Sequence, residues 1–231
     1  DLEAPQQQQM VGGKSVTYKL LKWSDGETDT QRSITPTDHT ELYGIMKGQQ
    51  VSNNTDATAS NNGRKVVWAE PGATAYYFQT YLDNGHVYYS YSSDGGASWA
   101  REERVTQSDG NSEPSIAVSE DMSKITVVWN NNGEFLWRSK SGVSGSWGSI
   151  YSETPMFPSS VSTKPAALNH GGNIYVAKRY KYSSNPQIVE LYKINSSNQL
   201  SWLGQIDGSG ADNPTITKRT PWNYDNRVFL A

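Results

Sequence analysis

The residues best suited to bind a polar ligand are tyrosines and acidic residues that fall between the predicted β-strands. They occupy the intervals 69–85, 107–113, 178–187 and 205–213. Flat aromatic faces beside carboxylates that form hydrogen bonds suit carbohydrate binding. The sequence therefore predicts a single ligand face that carries Tyr76, Tyr77, Tyr81, Asp83, Asp109, Glu113, Arg179, Tyr180, Tyr182, Asp207 and Asp212. The alternative is that these are solvated loops whose rings pack on neighbouring strands.

The signals for metal binding and for catalysis are weaker. Asp109, Asn111 and Glu113 offer alternate oxygen ligands like those of a calcium loop, but the terminal bidentate glutamate is missing. Calcium is thus a candidate and no other cofactor is predicted. The chain has no cysteine, and its three histidines lack the spacing of a zinc site. No Ser-His-Asp arrangement is recognisable, so the catalytic residues stay unknown.

Composition predicts an ordered all-β protein. The 231 residues include 8 Trp, 14 Tyr and 4 Phe, and only 19% are charged. Many aromatic residues beside many Gly, Asn and Ser residues are typical of short strands joined by tight turns. The net charge is -3, and no basic run exceeds two residues, which argues against a nucleic-acid partner. No apolar run is long enough to predict a membrane span.

A repeated unit of about 50 residues organises the chain. Pro114, Pro165 and Pro214 each open an apolar strand, which a polar turn connects to a second, β-branched strand. An earlier copy is predicted with its first strand at 56–60 and its second at 65–68. Two further strands follow in each of the first three units. Four strands per unit predict the blades of a β-propeller.

The predicted fold class is therefore an all-β propeller of four-stranded antiparallel blades, with about three full blades plus partial ones. Residues 1–14 are expected to form a flexible N-terminal arm, and residues 15–231 the propeller domain. Ala231 falls on the second strand of a fourth unit. This predicts one part of a larger, six-bladed propeller, whose C-terminal strand would pair with further blades or another chain. The alternative is a closed four-bladed propeller.

The turn between the third and fourth strands of the first unit has a distinctive spacing, formed by Ser92, Asp94, Gly96, Ser98 and Trp99. A short Asp carboxylate can accept backbone N–H bonds within its own turn, and a glycine can adopt a positive φ there. This spacing resembles the Asp-box, or bacterial neuraminidase repeat, of the sialidase-like β-propeller family. The resemblance implies that Asp94 braces the blade, on the face away from any ligand.

The resemblance also implies what a sialidase would need: three arginines, an Asp acid/base and a Tyr nucleophile with its Glu. Residues 31–36 read Gln-Arg-Ser-Ile-Thr-Pro and do not match the first arginine segment. The leading hypothesis is a secreted or cell-surface module that binds glycans or protein partners. The alternatives are an exo-glycosidase of sialidase type, whose remaining catalytic residues lie outside this segment, and an architectural surface-assembly domain.

Overall fold

The computed structural model describes residues 1–11, 14–35, 41–52, 54–59, 63–153, 163–180, 188–207, 213–218 and 228–230. Within these ranges the regular structure consists of β-strands, and no helix is long and apolar enough to cross a membrane. The chain divides into two compact units, Asp1–Asn53 and Asn54–Ala231.

The first unit contains five strands. These are β1 (Leu2–Glu3), β2 (Gln7–Val11), β3 (Lys14–Trp23), β4 (Gln31–Arg32) and β5 (Gly44–Gly48). β1 pairs with β4, and β2, β3 and β5 form a three-stranded antiparallel sheet in that order. Residues 1–14, expected to be a loose arm, thus include two strands. The glutamines of β2 gain order because their backbone hydrogen-bonds to β3, a contribution independent of side-chain type.

The second unit contains three four-stranded antiparallel sheets, called blades 1, 2 and 3 below, and a two-stranded sheet. Blade 1 comprises β6 (Val66–Ala69), β7 (Tyr76–Asp83), β8 (His86–Ser92) and β9 (Glu103–Arg104). Blade 2 comprises β10 (Asn111–Val118), β11 (Ile125–Asn131), β12 (Glu134–Lys140) and β13 (Trp147–Glu153). Blade 3 comprises β14 (Ala166–His170), β15 (Asn173–Tyr180), β16 (Ile188–Ile194) and β17 (Leu200–Asp207). The two-stranded sheet pairs β18 (Ile216–Lys218) with β19 (Val228–Leu230).

The positions predicted for the first two strands of blade 1 were wrong, whereas the third and fourth predicted strands correspond to β8 and β9. Residues 54–59 contain no strand, β6 is the first strand, and the predicted loop 69–85 contains the second, β7. Gly72, at a φ of 80°, lies in the connection between β6 and β7 and follows Pro71, so this pair closes a hairpin that the sequence reading missed. β6 is innermost because the carbonyl of Arg64, just before it, accepts a hydrogen bond from Ile116 of blade 2.

Antiparallel order gives each blade two distinct ends. The turns from second to third strand, Asn84-Gly85 and Asn132-Gly133, lie at what we call the hairpin end. All four residues have positive φ, as a two-residue type I′ hairpin turn requires, and Asn-Gly supplies this at low cost. The opposite end, here the Asp94 end, carries the first-to-second and third-to-fourth connections.

The blades are held together by two alternating sets of apolar side chains. Along β10, Ile116 packs into the core shared with blade 1, and the next residue, Ala117, packs into the core shared with blade 3. Successive strand residues point to opposite faces, so each inner strand contributes to two interfaces. Beyond blade 3, Ile216 of β18 packs with Leu168 and Ala177 of blade 3 in a third apolar core.

Buried lysines add a polar link between blades 1 and 2 and between blades 2 and 3. The Lys140 amine of blade 2 lies 2.6 Å from a carboxylate oxygen of Glu103 of blade 1. The Lys178 amine of blade 3 lies 2.8 Å from Glu153 of blade 2 and 3.0 Å from Glu190 of its own blade. Both lysines are 3% exposed, so their charges depend on these carboxylates.

Candidate functional site

The tyrosines of the predicted ligand face whose side chains the structure describes, Tyr76, Tyr77 and Tyr81, do not share one surface. Tyr76 and Tyr77 begin β7 at the Asp94 end, and Tyr77 pairs with Ser92. Tyr81 and Asp83 lie further along the same strand and are only 7% and 2% exposed. Residues 69–85 were predicted to be a loop because the eight residues that form β7, although mostly of β-forming type, lack the alternation of apolar and polar residues in a half-buried strand.

Tyr81 belongs to a buried contact within blade 1. Its hydroxyl donates a hydrogen bond to the Glu102 carboxylate, and its ring stacks on Tyr88 with centroids 5.7 Å apart. Burial, followed by the negative charge of Glu102, raises the pKa of the Tyr81 phenol above its usual value. Because it stays protonated at neutral pH, Tyr81 functions here as a hydrogen-bond donor in the packing of the blade.

The predicted calcium ligands lie at the hairpin end between blades 1 and 2, where each has a protein partner. An Asp109 oxygen lies 2.7 Å from Nε2 of His86, whose Nδ1 is 3.2 Å from the Thr106 hydroxyl. The Asn111 amide donates to the carbonyls of Gly85, at 2.7 Å, and Ser108. Among the described residues, no three His, Asp or Glu side chains form a group that could hold a metal ion.

The remaining predicted ligand residues are dispersed. Glu113 accepts a hydrogen bond from the Lys164 amide at 3.1 Å, and Arg179 is 9% exposed within β15. Tyr180 and Asp207 end β15 and β17, and their side chains lie outside the described part. Tyr182 and Asp212 lie outside the described residues altogether. The binding role assigned to the whole set therefore stays a prediction.

The 92–99 turn has the geometry expected of a brace. The Ser98 amide donates to both Asp94 oxygens at 2.9 and 3.0 Å, and the hydroxyls of Ser92 and Ser98 also donate to this carboxylate. The Ser92 hydroxyl accepts from the Gly96 amide at 2.9 Å. These hydrogen bonds hold the pKa of Asp94 at about 2. Gly96 adopts a φ of 90°, which explains the glycine.

The innermost strands of the three blades enclose a groove of about 490 Å³, called the axial groove below. β6, β10 and β14 are each the edge strand of their sheet. Trp68, which is 65% exposed, is one of its lining residues. The polar residues of its lining are Arg64, Glu70, Glu120 and Asn169.

A closely packed hub closes one end of this region. The Ser115 hydroxyl of blade 2 accepts hydrogen bonds from the amides of Arg64, at 3.0 Å, and Ala167 of blade 3, at 3.1 Å. The Arg64 guanidinium donates to the Ile216 carbonyl at 3.1 Å. A Cβ on Gly63 would lie 3.1 to 3.3 Å from the carbonyls of two other blades, so the glycine permits this approach.

Charged groups converge near the hub. Lys65 donates a hydrogen bond to the Pro114 carbonyl, and burial lowers the pKa of its amine to about 8 while the charge of Glu113 opposes that shift. Burial also lowers the pKa of the Arg64 guanidinium from its usual value. Arg64 therefore brings a positive charge to the groove, while Glu70 and Glu120 bring carboxylates.

Sequence reasoning missed the groove because it placed Trp68 on a second strand instead of the innermost one. The available signal was the Pro71-Gly72 pair directly after Glu70, which marks the end of the first strand of a hairpin. Asn169 had no such signal, because its position depends on how three blades meet.

Comparison with known proteins identifies relatives in structure but not in sequence. No protein-family model matches the chain, and no curated protein is significantly similar to it. A mutant of the NanB sialidase from Streptococcus pneumoniae matches with a TM-score of 0.53 and 12% identity, over 80% of this chain and 30% of that one. NanB in complex with 2-[(3-chlorobenzyl)ammonio]ethanesulfonate matches with a TM-score of 0.53 and 13% identity, over 88% and 30%. A xylan β-1,4-xylosidase from Bacillus halodurans matches over 97% of this chain and 47% of its own, with 12% identity and a TM-score of 0.44.

These likenesses concern the fold. The chain spans about 30% of the length of the sialidase structures that it matches. Together with the successive four-stranded blades, they confirm the predicted all-β propeller fold. Function has to be argued from the site, because one fold hosts many activities.

Proposed function

We propose that the chain is a glycan-binding β-propeller module and that the axial groove holds the sugar. The observation that carries the proposal is the exposed Trp68 in a groove that also contains Arg64, Glu70, Glu120 and Asn169. The indole can stack on the apolar face of a pyranose ring, while carboxylate, amide and guanidinium groups hydrogen-bond to hydroxyls. Its volume of about 490 Å³ falls within the range of small-ligand sites.

A second part of the proposal assigns the 92–99 turn to the Asp-box type and the chain to the sialidase-like propellers. The network around Asp94 supports this, since Ser92, Gly96 and Ser98 all take part in the hydrogen bonds of the turn. Such a module would meet its ligand outside the cell, so we place it in the secreted or cell-surface class.

The test is a glycan array followed by titration calorimetry with the strongest ligand. Replacement of Trp68 by alanine should weaken binding at least about tenfold, because the stacking surface is lost. Trp202→Ala is the matched control, since Trp202 is 58% exposed but lies on β17, outside the groove lining. Absence of any glycan ligand, or equal losses in the two variants, would overturn the proposal. A tight protein ligand without a glycan would favour the surface-assembly alternative.

One observation favours a second candidate, a glycoside hydrolase that acts through two carboxylic acids; it does not supply the three arginines and the Tyr nucleophile that a sialidase needs. Two carboxylic acids, Glu70 and Glu120, line the same groove, and glycoside hydrolases commonly use a pair of carboxyl groups. Turnover of a fluorogenic glycoside by the full-length protein, abolished in both Glu70→Gln and Glu120→Gln, would replace the binding role by this one. Binding without turnover would retain the binding role.

A further inference from the structure

A second cavity lies beside the axial groove, between blades 2 and 3 at the Asp94 end. We call it the serine cleft; its volume is about 710 Å³. Its lining includes six serines, three of which are Ser141, Ser146 and Ser196, and two carboxylic acids, Glu120 and Asp121. Hydroxyl groups donate and accept hydrogen bonds, as sugar hydroxyls also do, which makes the lining complementary to a polyol.

The two cavities meet at shared residues. Glu120, two residues after the end of β10, and Asn169, in β14, line both the axial groove and the serine cleft. A ligand that fills the groove thus has the cleft as its neighbour on one side. An extended ligand could occupy both without any rearrangement of the blades.

Asn169 supplies a second, independent observation at the junction. Its side chain is 8% exposed, and its Nδ2 has no hydrogen-bond partner among the described residues. Buried polar groups without a partner are rare in folded proteins and call for an explanation. A ligand hydroxyl or a water at the junction would satisfy this donor.

The walls of the cleft are already fixed by protein contacts. The Lys124 amine donates to the carbonyls of Asn195, at 2.9 Å, and Ser196, at 3.3 Å, which ties blade 2 to blade 3. The Ser139 hydroxyl donates to Asn198 at 3.0 Å across the same gap. Fixed walls avoid the cost of ordering side chains when a ligand binds.

The charges of the cleft disfavour an anionic ligand. Its two cations are engaged by the protein: Lys124 binds the carbonyls above, and Lys140 binds Glu103. Across the cleft and the groove, the lining contains three carboxylates, Glu70, Glu120 and Asp121, against the guanidinium of Arg64, which donates to the Ile216 carbonyl. Like charges in proximity repel, so a carboxylated or sulfated sugar would bind less well than a neutral one.

From these observations we infer that the ligand is a neutral oligosaccharide that extends from the axial groove, past Glu120 and Asn169, into the serine cleft. This inference rests on the proposed glycan-binding function and narrows its ligand class. It also assigns the Asp94 end a binding role, although the resemblance to Asp-box proteins implied that this end faces away from the ligand.

The experiment measures affinity against ligand length by titration calorimetry. The probes are xylo-, cello- and galacto-oligosaccharides from disaccharide to hexasaccharide, with sialyllactose as the anionic probe. The hexasaccharide of the preferred series should bind at least about tenfold more tightly than its disaccharide. Ser146→Tyr, which places a bulky ring at an exposed position of the cleft, should remove that gain and leave disaccharide affinity unchanged.

Two further variants separate the possible causes of a loss. Ser93→Tyr adds the same ring at an exposed position of the 92–99 turn, outside the cleft lining, and should behave as wild type. Trp68→Ala should weaken binding of every length equally. Equal affinity for disaccharide and hexasaccharide, retention of the gain in Ser146→Tyr, or a preference for sialyllactose would each overturn the inference while leaving glycan binding in place. Failure of wild type to bind any glycan would instead overturn the proposed function.

Discussion

Asp94 stabilises its turn through the charge of its carboxylate. Hydrogen bonds from Ser98 and Ser92 lower its pKa from 3.8 to about 2. A carboxyl group whose pKa is lower in the folded than in the unfolded state contributes stability above the unfolded value, and this contribution is lost as pH falls through the folded value.

Replacement of Asp94 by asparagine should therefore lower the melting temperature at neutral pH. The difference from wild type should shrink as pH falls from about 4 to about 2, where wild type loses the same charge. Differential scanning calorimetry across this range tests the prediction. Ser93→Ala removes no carboxylate from the turn and should leave the profile unchanged; a constant deficit in Asp94→Asn would exclude a role for the charge.

The amine of Lys65 is the second group whose shifted pKa can be tested. Burial near the hub lowers the pKa of its amine to about 8, from 10.5. In carbon-detected NMR of lysine side chains, one Cε resonance should titrate near pH 8 and be missing in Lys65→Arg. If every lysine titrates near its ordinary value, the amine is not buried beside Pro114 as described.

At the scale of the strands and blades, we expect replacement of the two buried lysines, Lys178 and Lys140, to lower the free energy of unfolding by unequal amounts. Removal of the Lys178 charge leaves Glu153, 23% exposed, and Glu190, 15% exposed, as two carboxylates around one phenol. Breaking a buried pair in this way costs about 3–5 kcal/mol. Lys140→Met should cost less, because its partner Glu103 is 35% exposed and water can solvate it.

Urea unfolding of Lys178→Met and Lys140→Met measures both losses. Addition of Glu190→Gln to Lys178→Met should recover part of the stability, since it removes one of the two uncompensated charges. Equal losses at the two positions, or no recovery in the double variant, would contradict the assignment of Lys178 as the link between blades 2 and 3.

The strands of the blades also show which parts of the fold could be predicted from the sequence and which could not. Blades 2 and 3 follow the predicted order because Pro165 directly precedes β14, Pro114 lies within β10 where the register shifts between Ser112 and Ser115, and Asn132-Gly133 marks a hairpin. The first two strands of blade 1 were predicted too early in the sequence. Residues 56–60 imitate a strand, and Tyr76–Asp83 lacks the alternation of buried and exposed residues that marks one. Trp68 was therefore assigned to a second strand, and the predicted ligand face, drawn from 69–85, 107–113, 178–187 and 205–213, did not include it. Burial on both faces of a strand removes the pattern on which such a prediction depends.

In the second unit as a whole, the Ser115 hydroxyl is a contact that joins all three blades. From blade 2 it accepts hydrogen bonds from the half-buried amide of Arg64 in blade 1 and the buried amide of Ala167 in blade 3. Ser115→Ala leaves both N–H groups without this acceptor, and an unsatisfied buried donor costs about 1–3 kcal/mol. We expect a loss of at least about 2 kcal/mol in urea unfolding. Ser149→Ala, at an exposed position of β13, is the control, and a loss no larger than its effect would contradict the role of the hub.

The hub also joins residues that the ribosome adds at very different times. Its bond from Arg64 to Ile216 spans 152 residues. At about 5–20 residues per second, Ile216 is added roughly 8–30 s after Arg64. During that interval blades 1, 2 and 3 have been made while the acceptor for Arg64 has not. Until β18 has been made, the Arg64 guanidinium of the nascent chain therefore lacks the Ile216 carbonyl as its acceptor.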